Sequence, residues 1–247
     1  MSETIGGLLA AGQRAEVFEW GCHVLKLCRS AGSKPVMFRE AAINAAVEAL
    51  GLPVPAVWSV QQIHGRWGIV FDRVSGASFA ERMRGDPAAI PELLQTLARL
   101  HTRIHDHVGD EFGGLKSWLA SNISRSIVLD EPQRQILLSG LKDMPEGNRL
   151  CHGDFHPSNV LGEVSRPIVI DWPNASCGDP AGDVCRSYLI LKLHANEIAE
   201  PYLDAYCRAA SLRRQAILGW LPYVAAARLA EDVPGEQPSL LELVRSR

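Results

Sequence analysis

Asp154, Asn159 and Asp171 are the residues of this chain whose types and spacing suit chemistry. The first two stand five positions apart in Cys151-His152-Gly153-Asp154-Phe155-His156-Pro157-Ser158-Asn159-Val160. Asp171 closes the apolar run Ile168-Val169-Ile170, twelve positions after Asn159. In-line phosphoryl transfer needs this set: one carboxylate to orient an attacking hydroxyl and take its proton, and an amide oxygen with a second carboxylate to hold Mg²⁺ against nucleotide phosphates. Each residue alone could be a turn former or a strand-end cap. That reading leaves their common register unexplained.

The spacing His-x-Asp-x-x-x-x-Asn, followed by a strand ending in Asp, resembles a kinase catalytic loop and its magnesium site. Protein kinases place Arg after the His and Lys two places after the Asp; here those positions hold Gly153 and His156, and Trp172-Pro173 replaces Phe-Gly. With Gly178-Asp179-Pro180-Ala181-Gly182-Asp183-Val184 downstream, the chain instead resembles the aminoglycoside phosphotransferase and choline kinase-like group of small-molecule kinases. The resemblance implies an α+β, bilobal, protein-kinase-like fold. Residues 1–75 would form a lobe with a small antiparallel sheet, and residues 76–247 a mainly helical lobe. It implies Asp154 as the general base or hydroxyl-orienting residue, Asn159 and Asp171 as Mg²⁺ ligands, and ATP or GTP as co-substrate. Asp183 would steady the catalytic loop through backbone contacts. His152 would brace that loop, and so would His156, for which substrate contact is the alternative.

Elements must position these groups. Residues 5–9, 15–20 and 23–28 read as strands joined by turns at Gly12 and Gly21. The first turn would lie over the phosphates, although it carries a single glycine. Lys26 in Val24-Leu25-Lys26-Leu27 alternates to the face opposite Leu25 and Leu27, where it can reach the α- and β-phosphates as a point charge. Residues 35–50 read as a helix stopped by Gly51, with Glu40 as the partner of Lys26 and Glu48 as a solvated residue. Strands at 56–63 and 67–72 lead to Asp72-Arg73-Val74-Ser75-Gly76, the expected hinge, where backbone groups near Asp72 and Val74 would meet the adenine ring.

Beyond the hinge, helices are expected at 79–84, 92–105, 115–126 and 132–142. Leu93, Leu97, Leu100 and Ile104 recur at helical spacing and mark a core face. His101 and His105 stand one turn apart, a spacing compatible with metal ligation. The intervening Thr102, Arg103 and Ile104 supply no glutamate of a metalloprotease motif, and the resemblance makes His101 structural. Asp179-Pro180 reads as a helix start. The pattern from 181 to 231 is helical, with breaks expected near Pro201 and Ser211, and residues 238–247 read as a short helix. Glu197, Glu200, Asp204, Glu231 and Asp232 could select a cationic acceptor or simply form a solvated face. The short step from Asp171 to the next helix leaves no room for a long activation segment, which argues against a polypeptide substrate.

Composition narrows the classes further. With 247 residues, 47% of them hydrophobic, the chain can build one large domain or two lobes. A net charge of -3 argues against nucleic-acid partners. No apolar run spans a bilayer, and the first residues lack a signal-peptide pattern, so no membrane association is expected. Six cysteines without a Cys-x-x-Cys pair read as reduced thiols, which favours the cytoplasm. The expected partners are a small-molecule hydroxyl acceptor and a nucleoside triphosphate, with no obligate protein partner. The competing reading is a catalytically idle nucleotide-binding module of the same fold; the joint presence of Lys26, Asp154, Asn159 and Asp171 speaks against it.

Overall fold

The computed structural model describes residues 4–30 and 33–245. In chain order the elements are β1 (Leu8–Ala11), β2 (Ala15–Trp20), β3 (His23–Cys28), α1 (Lys34–Ala49), β4 (Val57–Ile63), β5 (Arg66–Asp72), α2 (Phe79–Gly85), α3 (Ile90–His105), α4 (Leu115–Arg125) and α5 (Glu131–Asp143). They continue as β6 (Arg149–Cys151), β7 (Val160–Glu163), β8 (Arg166–Val169), β9 (Ser176–Gly178), α6 (Pro180–His194), α7 (Asn196–Ala210), α8 (Arg214–Leu218), α9 (Leu221–Arg228) and α10 (Gln237–Arg245). The chain divides into two compact units. One runs to Phe79 and takes in Ser158–Pro173; the other comprises Ala80–Pro157 and the chain from Asn174 onward. The first unit therefore includes a segment far downstream of residue 75.

In the first unit, a five-stranded antiparallel sheet has the order β1-β2-β3-β5-β4. Strand alternation sorts β3 as the sequence requires. Leu25 and Leu27 are buried with Trp20 and Val70 on one face. On the other, Cys28, Ile69 and Phe71 pack against Met37 and Ala41 of α1. Lys26 alternates with Leu25 and Leu27, so it stands on the face that α1 covers. The first strand lies at Leu8–Ala11 rather than 5–9, and its register against β2 shifts between Leu8 and Ala10. Downstream, β7 and β8 form a hairpin with Val160 opposite Val169.

The second unit is mainly helical. Leu93, Leu97, Leu100 and Ile104 of α3 are buried as their spacing predicts. Helix α6 starts on the Asp179 N-cap, whose carboxylate accepts the Ala181 N–H at 2.8 Å, with Pro180 at the first helical position. Its residues Ala181 to Leu191 are all buried. The expected break at Pro201 is not there. Pro201 lies inside α7, past its first turn, where it forfeits the bond to the Glu197 carbonyl without ending the helix, and the break falls at Ala195. Ser211 does end α7, in the left-handed region at φ 52°. Among the described residues no helix is long and apolar enough to cross a membrane.

Candidate active site

The first unit gathers three charged side chains. Lys26 Nζ donates to Glu40 Oε1 at 2.6 Å and to Asp171 Oδ1 at 2.7 Å. Met37 and Ala41 pin α1 to the sheet, which places buried Glu40 beside the Lys26 face of β3. Burial works against the Lys26 charge, yet the two carboxylates outweigh it and hold the ammonium above its ordinary pKa. Burial pushes the Glu40 carboxyl up, against the opposing pull of Lys26. Glu48, the other acid of α1, is exposed.

Asn159 and Asp171 come from the two ends of the β7–β8 hairpin. The Ile170 N–H donates to the Asn159 carbonyl at 3.0 Å, which carries the hairpin pairing one step beyond Val160 and Val169. Asp171 follows at once with φ 67°, the left-handed region that non-glycine residues rarely occupy. Such a backbone costs of order 1–3 kcal/mol and clusters at functional sites. The pair offers an amide and a carboxylate. Hard oxygen donors of this kind, few in number, suit Mg²⁺, which keeps waters and takes substrate phosphates as its remaining ligands.

The hinge residues Asp72 and Val74 line a concavity of about 490 Å³ together with Cys22, His23, Pro55 and Ile168. The Asp72 carboxylate accepts from Trp58 Nε1 at 2.6 Å, and the Asp72 N–H donates to the Ala56 carbonyl at 3.0 Å. The Asp72 side chain and amide are thus engaged within the sheet.

In the second unit, Asp154 sits in a loop fixed from behind by Asp183. The Asp183 carboxylate accepts the His152 N–H at 2.7 Å and the Gly153 N–H at 2.8 Å. It also meets His101 Nε2 at 3.0 Å and His105 Nε2 at 3.2 Å. Tyr202 and Tyr206 hydroxyls sit 2.6 and 2.7 Å from the Nδ1 atoms of those histidines. Proton bookkeeping then gives one pattern: tyrosine O–H to Nδ1, and Nε2–H to an ionised Asp183. Burial favours protonating Asp183, but the hydrogen bonds from His101 and His105 overcome it and keep the carboxyl far below its usual range. Burial and the neighbouring His105 push His101 down to about 3. The two histidines and Asp183 could geometrically hold a cation; their ligand atoms are instead committed to this closed network.

Gly153 has φ 78°, and a Cβ there would fall 2.3 Å from the Asn174 carbonyl oxygen. That explains glycine where protein kinases carry Arg. The Asp154 N–H donates to His152 Nδ1 at 3.1 Å, so buried His152 braces the loop. His156 Nε2 stands 3.7 Å from Asp154 Oδ2. Burial works to raise the Asp154 pKa, but His156 and Arg186 reverse it and hold the carboxyl well below its ordinary value.

Arg186 is a partner of Asp154 that sequence reasoning misses. It is buried in α6, three positions after Asp183. Its Nε donates to the Gly153 carbonyl, Nη2 lies 3.4 Å from Asp154 Oδ1, and Nη1 donates to Glu231 Oε1 at 2.7 Å. The Trp118 ring covers its guanidinium at 4.9 Å. The one available signal is a basic residue in an otherwise apolar helical run. Of the five acids considered for a cationic acceptor, three are paired with arginines: Glu231 with Arg186 and Arg228, and Glu200 and Asp204 with Arg214. Glu197 and Asp232 are exposed.

The model of the phosphotransferase enzyme family matches residues 18–220. The chain belongs to this family. Solved structures agree on the fold. The aminoglycoside phosphotransferase APH(4)-Ia superposes with a TM-score of 0.70 at 17% identity, covering 98% of this chain and 94% of that one. APH(3'')-Id from Streptomyces rimosus ATCC10970, in complex with ADP and streptomycin, gives 0.63 at 14% identity, covering 91% and 92%. A choline/ethanolamine kinase family protein from Mesorhizobium loti gives 0.62 at 18% identity, covering 98% and 89%. No curated protein gives a significant match. As a member of the phosphotransferase family, the chain carries the small-molecule kinase fold, with the antiparallel sheet and helical part expected from its sequence.

Proposed function

We propose that this phosphotransferase moves the γ-phosphate of ATP or GTP, with Mg²⁺, to a hydroxyl of a small molecule: an aminoglycoside-type antibiotic or a related sugar or amino alcohol. The observation that carries the reading is Lys26 bridging Glu40 and Asp171, with Asp171 in a strained backbone. A structural ion pair needs neither the second carboxylate nor the left-handed residue. Relatives of the same fold solved with ADP and streptomycin support the substrate classes.

In this reading Lys26 binds the α- and β-phosphates, and Glu40 keeps it aimed. Asn159 and Asp171 hold Mg²⁺, which when bound neutralises charge on the transferring phosphoryl group. Backbone groups near Asp72 and Val74 bind the adenine or guanine ring. Asp154 orients the acceptor hydroxyl and receives its proton as the oxygen–phosphorus bond forms. Its depressed pKa makes it a weak base, which fits a loose transition state in which positioning outweighs basicity. The absence of an extended segment between Asp171 and α6 keeps the acceptor small.

The deciding experiment is Mg²⁺-dependent ADP or GDP formation against aminoglycosides, amino alcohols and sugars, with Asp154→Ala as the blank. Acceptor-dependent turnover that the variant lacks establishes the kinase and its substrate class. Nucleotide binding without turnover on any acceptor overturns it in favour of an idle binding module.

A further inference from the structure

We infer that Arg186 is the positioning residue for the Asp154 carboxylate, supplied by α6 and held there by an ion-pair chain through Glu231 and Arg228 to Glu236. The inference rests on the reading of Asp154 as the residue that orients the acceptor.

The geometry is that of a fork. One guanidinium grips two successive residues of the loop: the Gly153 carbonyl through Nε and the Asp154 carboxylate through Nη2. A planar, permanently charged fork can fix both the peptide and the carboxylate, which a lysine point charge cannot. The group is 2% exposed, so its charge needs a built counter-charge. Glu231 provides it with both oxygens, at 2.7 and 3.2 Å. Glu231 also takes Arg228 Nη1 at 2.5 Å. Arg228 is chelated by Glu236 at 2.7 and 2.8 Å, and Glu236 meets His194 Nε2 at 2.6 Å. Charges alternate from Asp154 through Arg186, Glu231 and Arg228 to Glu236, so each of the three interior members is neutralised on both sides.

This arrangement gives the segment from α9 to α10 a task. It anchors, from behind, the arginine that points Asp154. Protein kinases carry a basic residue within the loop itself, after the His and again after the Asp. Here the loop holds Gly153 and His156, and the permanent cation arrives from a helix. Among the groups facing Asp154 are His152 and His156 from its own loop and Arg186 from α6, with Glu231 and Arg228 behind that arginine.

The test compares wild type with Arg186→Gln, and with the double variant R186Q/E231Q, which removes the Arg186 charge together with its Glu231 counter-charge. The readout is the ¹³C carboxyl resonance of Asp154, assigned with Asp154→Asn and titrated with pH. It reports on Arg186 whether or not any acceptor is turned over, so a failure of the kinase reading cannot be mistaken for a failure of this one. The Asp154 proton affinity should rise at least tenfold in either folded variant. Where wild type turns over an acceptor, kcat should fall at least tenfold in Arg186→Gln while mant-ADP affinity stays within twofold. Arg186→Lys, which keeps the charge without the fork, should restore the titration but not the full rate. A folded variant whose Asp154 titrates as in wild type overturns the assignment, which would then reduce Arg186 to a packing role.

Discussion

The carboxylate of Asp183 accepts the backbone N–H of His152 at 2.7 Å, so a helix residue sets the conformation of a loop 31 positions earlier in the chain. Its other oxygen takes the Gly153 N–H, and two histidines complete the shell. Asp183→Asn keeps the shape but turns one acceptor into a donor facing donors. Removing the charge from a buried, fully bonded group costs about 3–5 kcal/mol. Urea unfolding should show that loss, and hydrogen exchange at the Gly153 amide should accelerate. A midpoint within error of wild type would mean the loop is braced elsewhere.

Asp154→Ala should bind nucleotide as wild type does and lose about 10²–10⁴-fold in turnover. Isothermal titration with a non-hydrolysable nucleotide, beside a coupled ADP assay, separates the two. Substantial retained turnover would remove Asp154 from its role.

Asp171→Asn tolerates the left-handed backbone, because Asn adopts it readily. Only the carboxylate is lost, and with it the charged partner of Lys26. Nucleotide binding should lose its Mg²⁺-dependent part, and the Lys26 amine should become easier to acetylate. If Mg²⁺ still strengthens binding to the same degree, the metal is held by other residues.

Stability should fall in acid through His101. Its folded pKa of about 3 lies below the ordinary value of 6.5, so between these values the unfolded chain binds more protons. Stability is therefore full above pH 6.5 and is lost as pH falls toward 3, with Asp183, also depressed, adding to the loss below about pH 4. Between about pH 7 and about pH 4.5 this amounts to roughly 3 kcal/mol. Guanidinium melts across that range measure it; a flat profile would show that His101 is charged in the folded protein.

Lys26, Glu40, Asp154, Asn159 and Asp171 could be picked out as candidates because phosphoryl transfer would depend on residue type at short or ordered spacings. Alternation put Lys26 on the right face, and α1 does bring Glu40 to it. The α3 stripe was equally legible, since a buried face must repeat at helical spacing. Arg186 and Glu231 were not, because they meet across 45 residues and neither stands in a patterned stretch. Nor were the tyrosines of α7 that fix the tautomers of His101 and His105. Pro201 misled because proline opposes helix in general, while in α7 it removes a single backbone bond and the buried face of Ile198, Ala199, Tyr202 and Leu203 carries the helix through it.

The nesting of Gly153 against the Asn174 carbonyl has a historical consequence. No side chain fits at 153 without moving that backbone, so a lineage that has adopted this loop cannot reach the His-Arg-Asp form by single replacements. Each step would pass through a clash before any gain. An arginine at 153 therefore needs a compensating shift at Asn174, and the two changes must come together.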